Sequence, residues 1–199
     1  SHLVLKYENE EMFLGGSGAI ANHVSNFCKK VNLISYLGNK KNFHNFIKKK
    51  LHRNVNLKYF LKNNSPTILK TRYLDKINKN KIVGMYNLND VVDTTLDKNL
   101  NNYLKNYNKK NDLLVISDYG HGLLNKNIVN KLNNKFKFIA LNTQLNASSI
   151  NYHTISKYDK ADFLIINENE LRHEFKDKNS SIKSMIYKLV KKINVEYVV

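Results

Sequence analysis

Cysteine, proline and arginine are all scarce in this 199-residue chain, and each scarcity closes off a class of protein. The single cysteine, Cys28, excludes an internal disulfide and suits a reducing cytosol. Its setting in SNFCKKV predicts a buried helix position rather than a nucleophile. The single proline, Pro66, leaves no proline punctuation to mark a domain boundary. No apolar run approaches the ~18 residues of a membrane span. The opening SHLVLKYENEEMF is acidic and lacks an apolar stretch, so no signal peptide is expected and the expected location is cytoplasmic. Acidic residues are also few: 16 Asp and Glu against 33 Lys and Arg, a net charge of +17. Such a balance commonly marks a nucleic-acid or anionic-surface partner. Three observations argue against nucleic acid here. Only Arg53, Arg72 and Arg172 supply guanidinium groups, the lysines are scattered among asparagines, and no aromatic residues interleave with basic ones in an RNP-like motif.

Hydrophobic residues make up 42% of the chain, enough for a core at this length. Periodicity alternates helix-like and strand-like segments. GAIANHVSNFCKK reads as a helix with Ile20, Val24 and Phe27 on one face. VNLISYLG reads as a strand ending at Gly38, and NFHNFIKKKLH as a helix with Phe43, Phe46, Ile47 and Leu51 inward. VNLKYFL, PTILKTRYL and KIVGMYNL form three β-like runs, separated by turn signals at KNNSP and DKINKNK. A polar helix from Leu96 to Tyr107 leads into DLLVISD, an apolar run with an acid at each end, as expected of a buried parallel strand. The helix NKNIVNKLNN, the strands FKFIAL and ADFLIIN, the helices ENELRHEF and SIKSMIYKLVKKI, and the strand VEYVV follow. This alternation predicts an α/β fold, a three-layer α/β/α domain with a mostly parallel sheet.

Five segments carry candidate chemistry. LGGSGAIANHVSNF holds Gly15, Gly16 and Gly18, and Gly16-x-Gly18-x-x-Ala21 has the spacing of a dinucleotide fingerprint. That reading needs a buried strand before the glycines and an acid about 20 residues after them. The preceding ENEEMF is no buried strand, the region near residue 38 reads LGNKKN, and no GK[ST] follows. A tight turn with close helix packing explains the glycines equally well. PTILKTR ends in the cation Arg72, and MYNLND, Met85 to Asp90, lies a turn further on. SDYGHG, with Asp118 and His121, stands at the carboxyl end of a buried strand, where ligands bind in open α/β sheets. NENE, with Asn167 and Glu170, ends another strand and opens a helix, whose first turn favours anions. Taken singly, Arg72 reads equally as an exposed charge, Asp118 as a helix cap, and Glu170 as a first-turn acid.

In this order and spacing, GGSGAIANHVSNFCKKVNLISYLG, SPTILKTRYL, LLVISDYGHGLL and ADFLIINENELR resemble the ribokinase-like (PfkB) carbohydrate kinases over nearly the whole chain. The resemblance is strongest to the branch of the heptose 7-phosphate kinases, the kinase half of ADP-heptose synthases. KTR, SDYGHG and the N-x-x-E of Asn167 and Glu170 carry it. It implies transfer of the γ-phosphoryl group of ATP, with Mg²⁺, to a hydroxyl of a sugar or sugar phosphate, a chemistry of positioning and charge neutralisation. By the same resemblance Gly15 and Gly16 let the backbone approach the sugar and Gly18 is structural. Arg72 faces the phosphorylated end of the substrate, Asp118 lies near the sugar, and Asn167 and Glu170 organise Mg²⁺ and the phosphates, partly through water.

The departures from the family pattern are specific. Many relatives have Asn where Ala19 stands, so that sugar contact is lost or passes to Asn22. His121 replaces a lysine, exchanging a fixed charge for a pH-sensitive one. LNTQLNASSINYHTISKYDKADF is similar to members fused to nucleotidyltransferase domains. The family's catalytic base, an Asp in a G-A-G-D motif, falls after the strand represented by VEYVV and is therefore expected beyond Val199. Residues 1–199 are accordingly expected to be one partial kinase domain, with residues of about 55–90 forming a small β lid. Loss of a general base costs about 10²–10⁴ in rate, and such a piece is expected to be nearly inactive by itself. A homodimer through the lid is a further implication of the resemblance. Two other readings stay open: a non-catalytic module of the same fold that binds a sugar phosphate or a partner, and a basic nucleic-acid-binding protein, whose affinity would fall steeply with salt.

Overall fold

The glycine-rich loop does open a helix. In the computed structural model, which describes residues 4–40, 43–107, 113–146 and 153–199, α1 spans Gly16–Ser25, with Gly16 itself at φ 51 and Gly15 as the N-cap. The helix stops at Ser25, short of the Lys30 that periodicity predicts. The side-chain amide of Asn54 donates to the carbonyls of Ser25 (2.8 Å) and Cys28 (2.9 Å), satisfying groups that a longer helix would have bonded internally. Phe27 is therefore left 80% exposed instead of inward, and Cys28 lies half-buried beyond the helix, correcting the expectation of a buried helical thiol. Strand β1 (Val31–Lys40) pairs with β2 (Val55–Pro66), and between them lies the short helix α2 (His44–Lys50), none of whose residues is buried. Ala21, Leu33 and Val55 form the core of this part, with Val31, Leu51 and Leu57 packed around them.

The chain forms two compact units: residues 1–34 with 43–58, and residues 35–42 with 59–199. In the larger unit β2 runs straight through KNNSP, where the composition signals a turn. Asn64 adopts φ 52, and a Cβ on Gly38 would come within 2.1 Å of the Pro66 carbonyl carbon and the Ser65 oxygen. Glycine at 38 thus lets the two backbones touch, and the strand continues because pairing outweighs local turn preference. Strands β3 (Leu69–Leu74) and β4 (Lys81–Asn87) form an antiparallel hairpin, with Arg72 opposite Gly84. Helix α3 (Thr94–Lys105) begins at Asp93, whose carboxylate accepts from the Thr95 and Leu96 amides.

The remaining elements are β5 (Leu113–Asp118), α4 (Lys126–Asn133), β6 (Phe138–Thr143), β7 (Lys160–Ile165), α5 (Glu168–Phe175), α6 (Ile182–Lys192) and β8 (Asn194–Val198). The strands form one parallel sheet in the order β5-β6-β7-β8. Alternation sorts its faces: Ile116, Ile139, Leu141 and Leu164 are at most 4% exposed, while Leu113, Val115, Phe138 and Tyr197 on the other face are exposed among the described residues. The pairing of β7 with β8 continues through Val199, whose amide donates to the Leu164 carbonyl at 2.9 Å and whose carbonyl accepts from the Ile166 amide at 3.0 Å. Helices α3 and α4 meet through stripes that bury Leu96, Leu100 and Leu104 on one and Ile128, Val129 and Leu132 on the other. Asn125, not Asp118, caps α4. Asp112, the acid read at the start of β5, lies outside the described residues, as do residues 147–152 of the irregular run before β7. No helix among the described residues is long and apolar enough to cross a membrane.

Candidate active site

Asp118 ends β5 and is 6% exposed, so its charge must be compensated by protein. Its Oδ2 accepts from the Tyr158 hydroxyl at 2.6 Å and pairs with the Lys157 ammonium. Its Oδ1 accepts from the Gly120 amide at 3.0 Å, with His153 Nε2 at 3.8 Å. Burial by itself would raise this carboxyl, but Lys157, His153 and the hydrogen bonds from Lys157 and Tyr158 outweigh it and hold the group below the ordinary carboxylate value. His153 is pushed down mainly by burial. Its Nε2 lies 3.1 Å from the Asp118 carbonyl, which can only accept, so Nε2 carries the proton. The Tyr158 hydroxyl is raised by burial and by the adjoining carboxylate.

The SDYGHG turn leaves Asp118 through two left-handed glycines, Gly120 (φ 69) and Gly122 (φ 83). A Cβ on Gly120 would meet the His153 ring at 2.6 Å, and one on Gly122 the Asp90 carbonyl at 2.9 Å. MYNLND therefore closes against this turn. Its end is held by Lys62, 2% exposed, whose ammonium donates to the carbonyls of Asn89 and Val91, each at 2.6 Å. Burial lowers the Lys62 pKa against the pull of Asp93 and Asp90. The Tyr36 hydroxyl donates to the His121 carbonyl at 2.9 Å.

Strand β3 brings KTR to the same turn. Lys70 Nζ lies 5.9 Å from the centre of the Tyr119 ring and 5.1 Å from that of Tyr86, and donates to Asn146 Oδ1 at 2.9 Å. Burial first, then the Arg72 charge, lowers its pKa. Arg72, two residues along and on the same side of the strand, is exposed. Two cations thus stand side by side, one of them beside SDYGHG.

Asn167 and Glu170 meet as a capping box at the start of α5. Asn167 Oδ1 accepts from the Glu170 amide (2.9 Å), and Glu170 Oε2 accepts from the Asn167 amide (3.0 Å). Among the described residues, Glu170 Oε1 has one long contact, 3.4 Å, from the Leu145 amide. It borders a cavity of about 10 Å³ lined by Thr143, Gln144, His153, Glu170 and His173, room for roughly one water. Among the described residues no three His, Cys, Asp or Glu side chains converge as a metal cage. In the smaller unit, a Cβ on Gly15 would meet nothing within 4 Å, so its backbone is open to approach, whereas one on Gly18 would touch Leu14. Asn22 holds the chain after α2: its Nδ2 donates to the Lys50 carbonyl and its Oδ1 accepts from the His52 amide, both at 2.9 Å.

Sequence reasoning passed over Lys157, Tyr158, His153, Tyr36 and Lys62. The first three lie in HTISKYDK, which has no hydrophobic period. Their one legible signal is the position of an aromatic and a lysine just ahead of a buried strand.

The pfkB family carbohydrate kinase profile matches residues 2–199. The bifunctional protein HldE of a Nitratiruptor species is 29% identical over 128 residues, covering 63% of this chain and 27% of that protein. The tetrameric inhibited form of phosphofructokinase-2 from Escherichia coli superposes with a TM-score of 0.65 at 12% identity, over 98% of this chain and 66% of that one. The same enzyme in complex with fructose-6-phosphate gives 0.62 at 12% identity, over 93% and 61%. The chain spans less than two thirds of the length of each of these relatives. The structural likeness establishes a ribokinase-like α/β fold, and with the family profile spanning all but the first residue, the chain belongs to the pfkB family of carbohydrate kinases.

Proposed function

We propose that this chain is the sugar-binding part of a kinase that moves the γ-phosphoryl group of ATP to a hydroxyl of a sugar phosphate, a heptose 7-phosphate-like acceptor being the first candidate. The observation that carries the reading is the juxtaposition of Lys70 and Arg72 with the SDYGHG turn, two motifs distant in sequence. Neither cation has a carboxylate partner among the described residues, so the pair is left to compensate a negative group on a ligand, with the Arg72 guanidinium offering paired donors to phosphate. In the smaller unit, taken by itself, the open backbone at Gly15 would admit close approach of a ligand. Asn22, with its amide committed to the 50–52 segment, leaves that contact to the backbone.

Asp118 serves this site by holding its shape. Both carboxylate oxygens are taken, so it is not available as the general base, and it fixes the turn that carries His121. The general base is proposed to come from a part of the kinase other than this turn. Glu170 retains one weakly used oxygen at the amide-rich start of α5, an arrangement that fits Mg²⁺ held mostly by phosphate and water. Bound Mg²⁺ would neutralise charge on the transferring phosphates. Asn167 keeps Glu170 in place through the capping box.

The exposed residues of the β3–β4 hairpin, Tyr73, Val83 and Met85 among them, suit a contact with a second copy, since a two-stranded ribbon is marginal alone. The HldE relative's description as bifunctional supports a fused nucleotidyltransferase in the longer protein. Assaying ADP release by the full-length protein across sugars and sugar phosphates tests the reading. Turnover on a sugar phosphate supports it, and saturable binding without turnover would favour the non-catalytic module instead.

A further inference from the structure

His121 is 8% exposed, and neither of its ring nitrogens has a hydrogen-bond partner among the described residues. Buried polar atoms nearly always find one, and a ring with two orphaned atoms lowers stability relative to an apolar ring of the same shape. The groups around it are Lys70, Asp90, Asp118 and His153, with Tyr119 stacked on its face at 6.4 Å and 9°. None of them hydrogen-bonds the ring. Several neighbours are already engaged: both oxygens of Asp118, the Tyr36 hydroxyl, and Lys70 through Asn146. The Asp90 carboxylate acts on the ring by its charge without hydrogen-bonding it.

The carbonyls of the turn are already in use, and none of them faces the ring as a partner. The Asp118 carbonyl accepts from Gln144, that of Tyr119 from Asn146, and that of His121 from Tyr36, while the glycines on either side are hemmed in by His153 and Asp90. Rotation of the side chain is the simplest way for the ring to meet a partner from outside. A polar ring kept at a strand end, against stability and with its hydrogen-bonding capacity unused, is the kind of local inconsistency that marks function.

The form of the ring narrows the ligand. Burial first and Lys70 second push its pKa down to about 4, so at neutral pH it is an uncharged imidazole with one donor and one acceptor. That pair complements a sugar hydroxyl, which both gives and accepts a hydrogen bond. A phosphate accepts only, and is better served by Lys70 and Arg72. We infer that His121 is the specificity-determining residue of this site, its ring turning out of the slot to pair with a neutral hydroxyl of the sugar while the phosphate is held by β3. The inference rests on the sugar-phosphate reading above.

The test uses three full-chain variants and three probes: heptose 7-phosphate, fructose 6-phosphate and inorganic phosphate, titrated calorimetrically without nucleotide. His121→Phe keeps the ring and its stacking but removes the nitrogens; it should melt at the wild-type temperature or higher. Its affinity for the sugar phosphate that wild type binds best should fall about tenfold, as for one lost hydrogen bond, with inorganic phosphate unchanged. His121→Gln, which restores a donor and an acceptor, should recover most of the loss, and Arg72→Ala should weaken inorganic phosphate and sugar phosphate together. An unchanged sugar-phosphate affinity in His121→Phe, or a loss that inorganic phosphate shares equally, would overturn the inference while leaving the kinase reading intact. If His121→Phe fails to fold, an unchanged affinity in His121→Ala overturns it in the same way. Failure of wild type to bind either sugar phosphate would remove the underlying reading and the inference with it.

Discussion

Replacing Asp118 with Asn is the sharpest test of how the site is held. The substitution keeps size and an acceptor oxygen but removes the charge that Lys157 and Tyr158 surround. Breaking a buried ion pair from one side costs about 3–5 kcal/mol. Lys157 is 21% exposed at its side chain and also donates to the Leu124 carbonyl at 2.9 Å, so it finds solvent and one partner when abandoned. The lower end, about 3 kcal/mol, is therefore expected, and at this size it lowers the melting temperature by roughly 6–12 °C. Urea unfolding of D118N, K157M and the double variant measures the pair directly: the two losses should fail to add by about 1–3 kcal/mol. The pH dependence has a defined sign. The Asp118 carboxyl is held below its ordinary value in the folded protein, so its stabilisation is present above the unfolded pKa of about 3.9 and is lost as pH falls through the folded pKa. D118N should therefore flatten the acid limb below about pH 4. A cost under about 1 kcal/mol, strictly additive effects, or an unchanged acid limb would each refute the network.

Gly38→Ala places a Cβ 2.1 Å from the backbone of β2, and urea denaturation should show a loss of about 3 kcal/mol or more, as strand separation is the only relief. Asn167→Ala removes the α5 cap and should cost about 1 kcal/mol by the same measurement, with Asn167→Asp retaining most of it. Arg72→Ala, at an exposed position, should change stability by no more than about 0.5 kcal/mol while weakening sugar-phosphate binding. Met85→Asp on the exposed hairpin should shift sedimentation of any dimer toward monomer without changing the melting temperature of the monomer.

The parallel sheet was legible because its strands are short, apolar and bounded: DLLVISD, FKFIAL and ADFLIIN become β5, β6 and β7 with small shifts at their ends. Where the reading failed, a residue distant in sequence decided the outcome. Asn54 ends α1 by taking carbonyls that periodicity assigns to the helix, and Gly38 lets β2 continue through a stretch of turn-forming residues. The candidate site divides in the same way. Strand-end position singled out Asp118, Asn167 and Glu170, but position says nothing of partners. That Asp118 is clamped by His153, Lys157 and Tyr158, and that Asn167 and Glu170 cap one another, depends on geometry beyond single-strand periodicity. The capping box, however, was there to be read in N-E-N-E before LRHEF, since an N-cap residue followed at the third position by Glu is its signature.

The measurement that bears most directly on the function is coupled ADP release by the full-length protein with Mg·ATP, run with and without each of a panel of sugar phosphates and free sugars. The expected result is ADP formation that requires both ATP and a phosphorylated sugar and is weakened by Arg72→Ala. Absence of turnover on every sugar and sugar phosphate of the panel, in a protein that folds and binds ATP, would contradict the account.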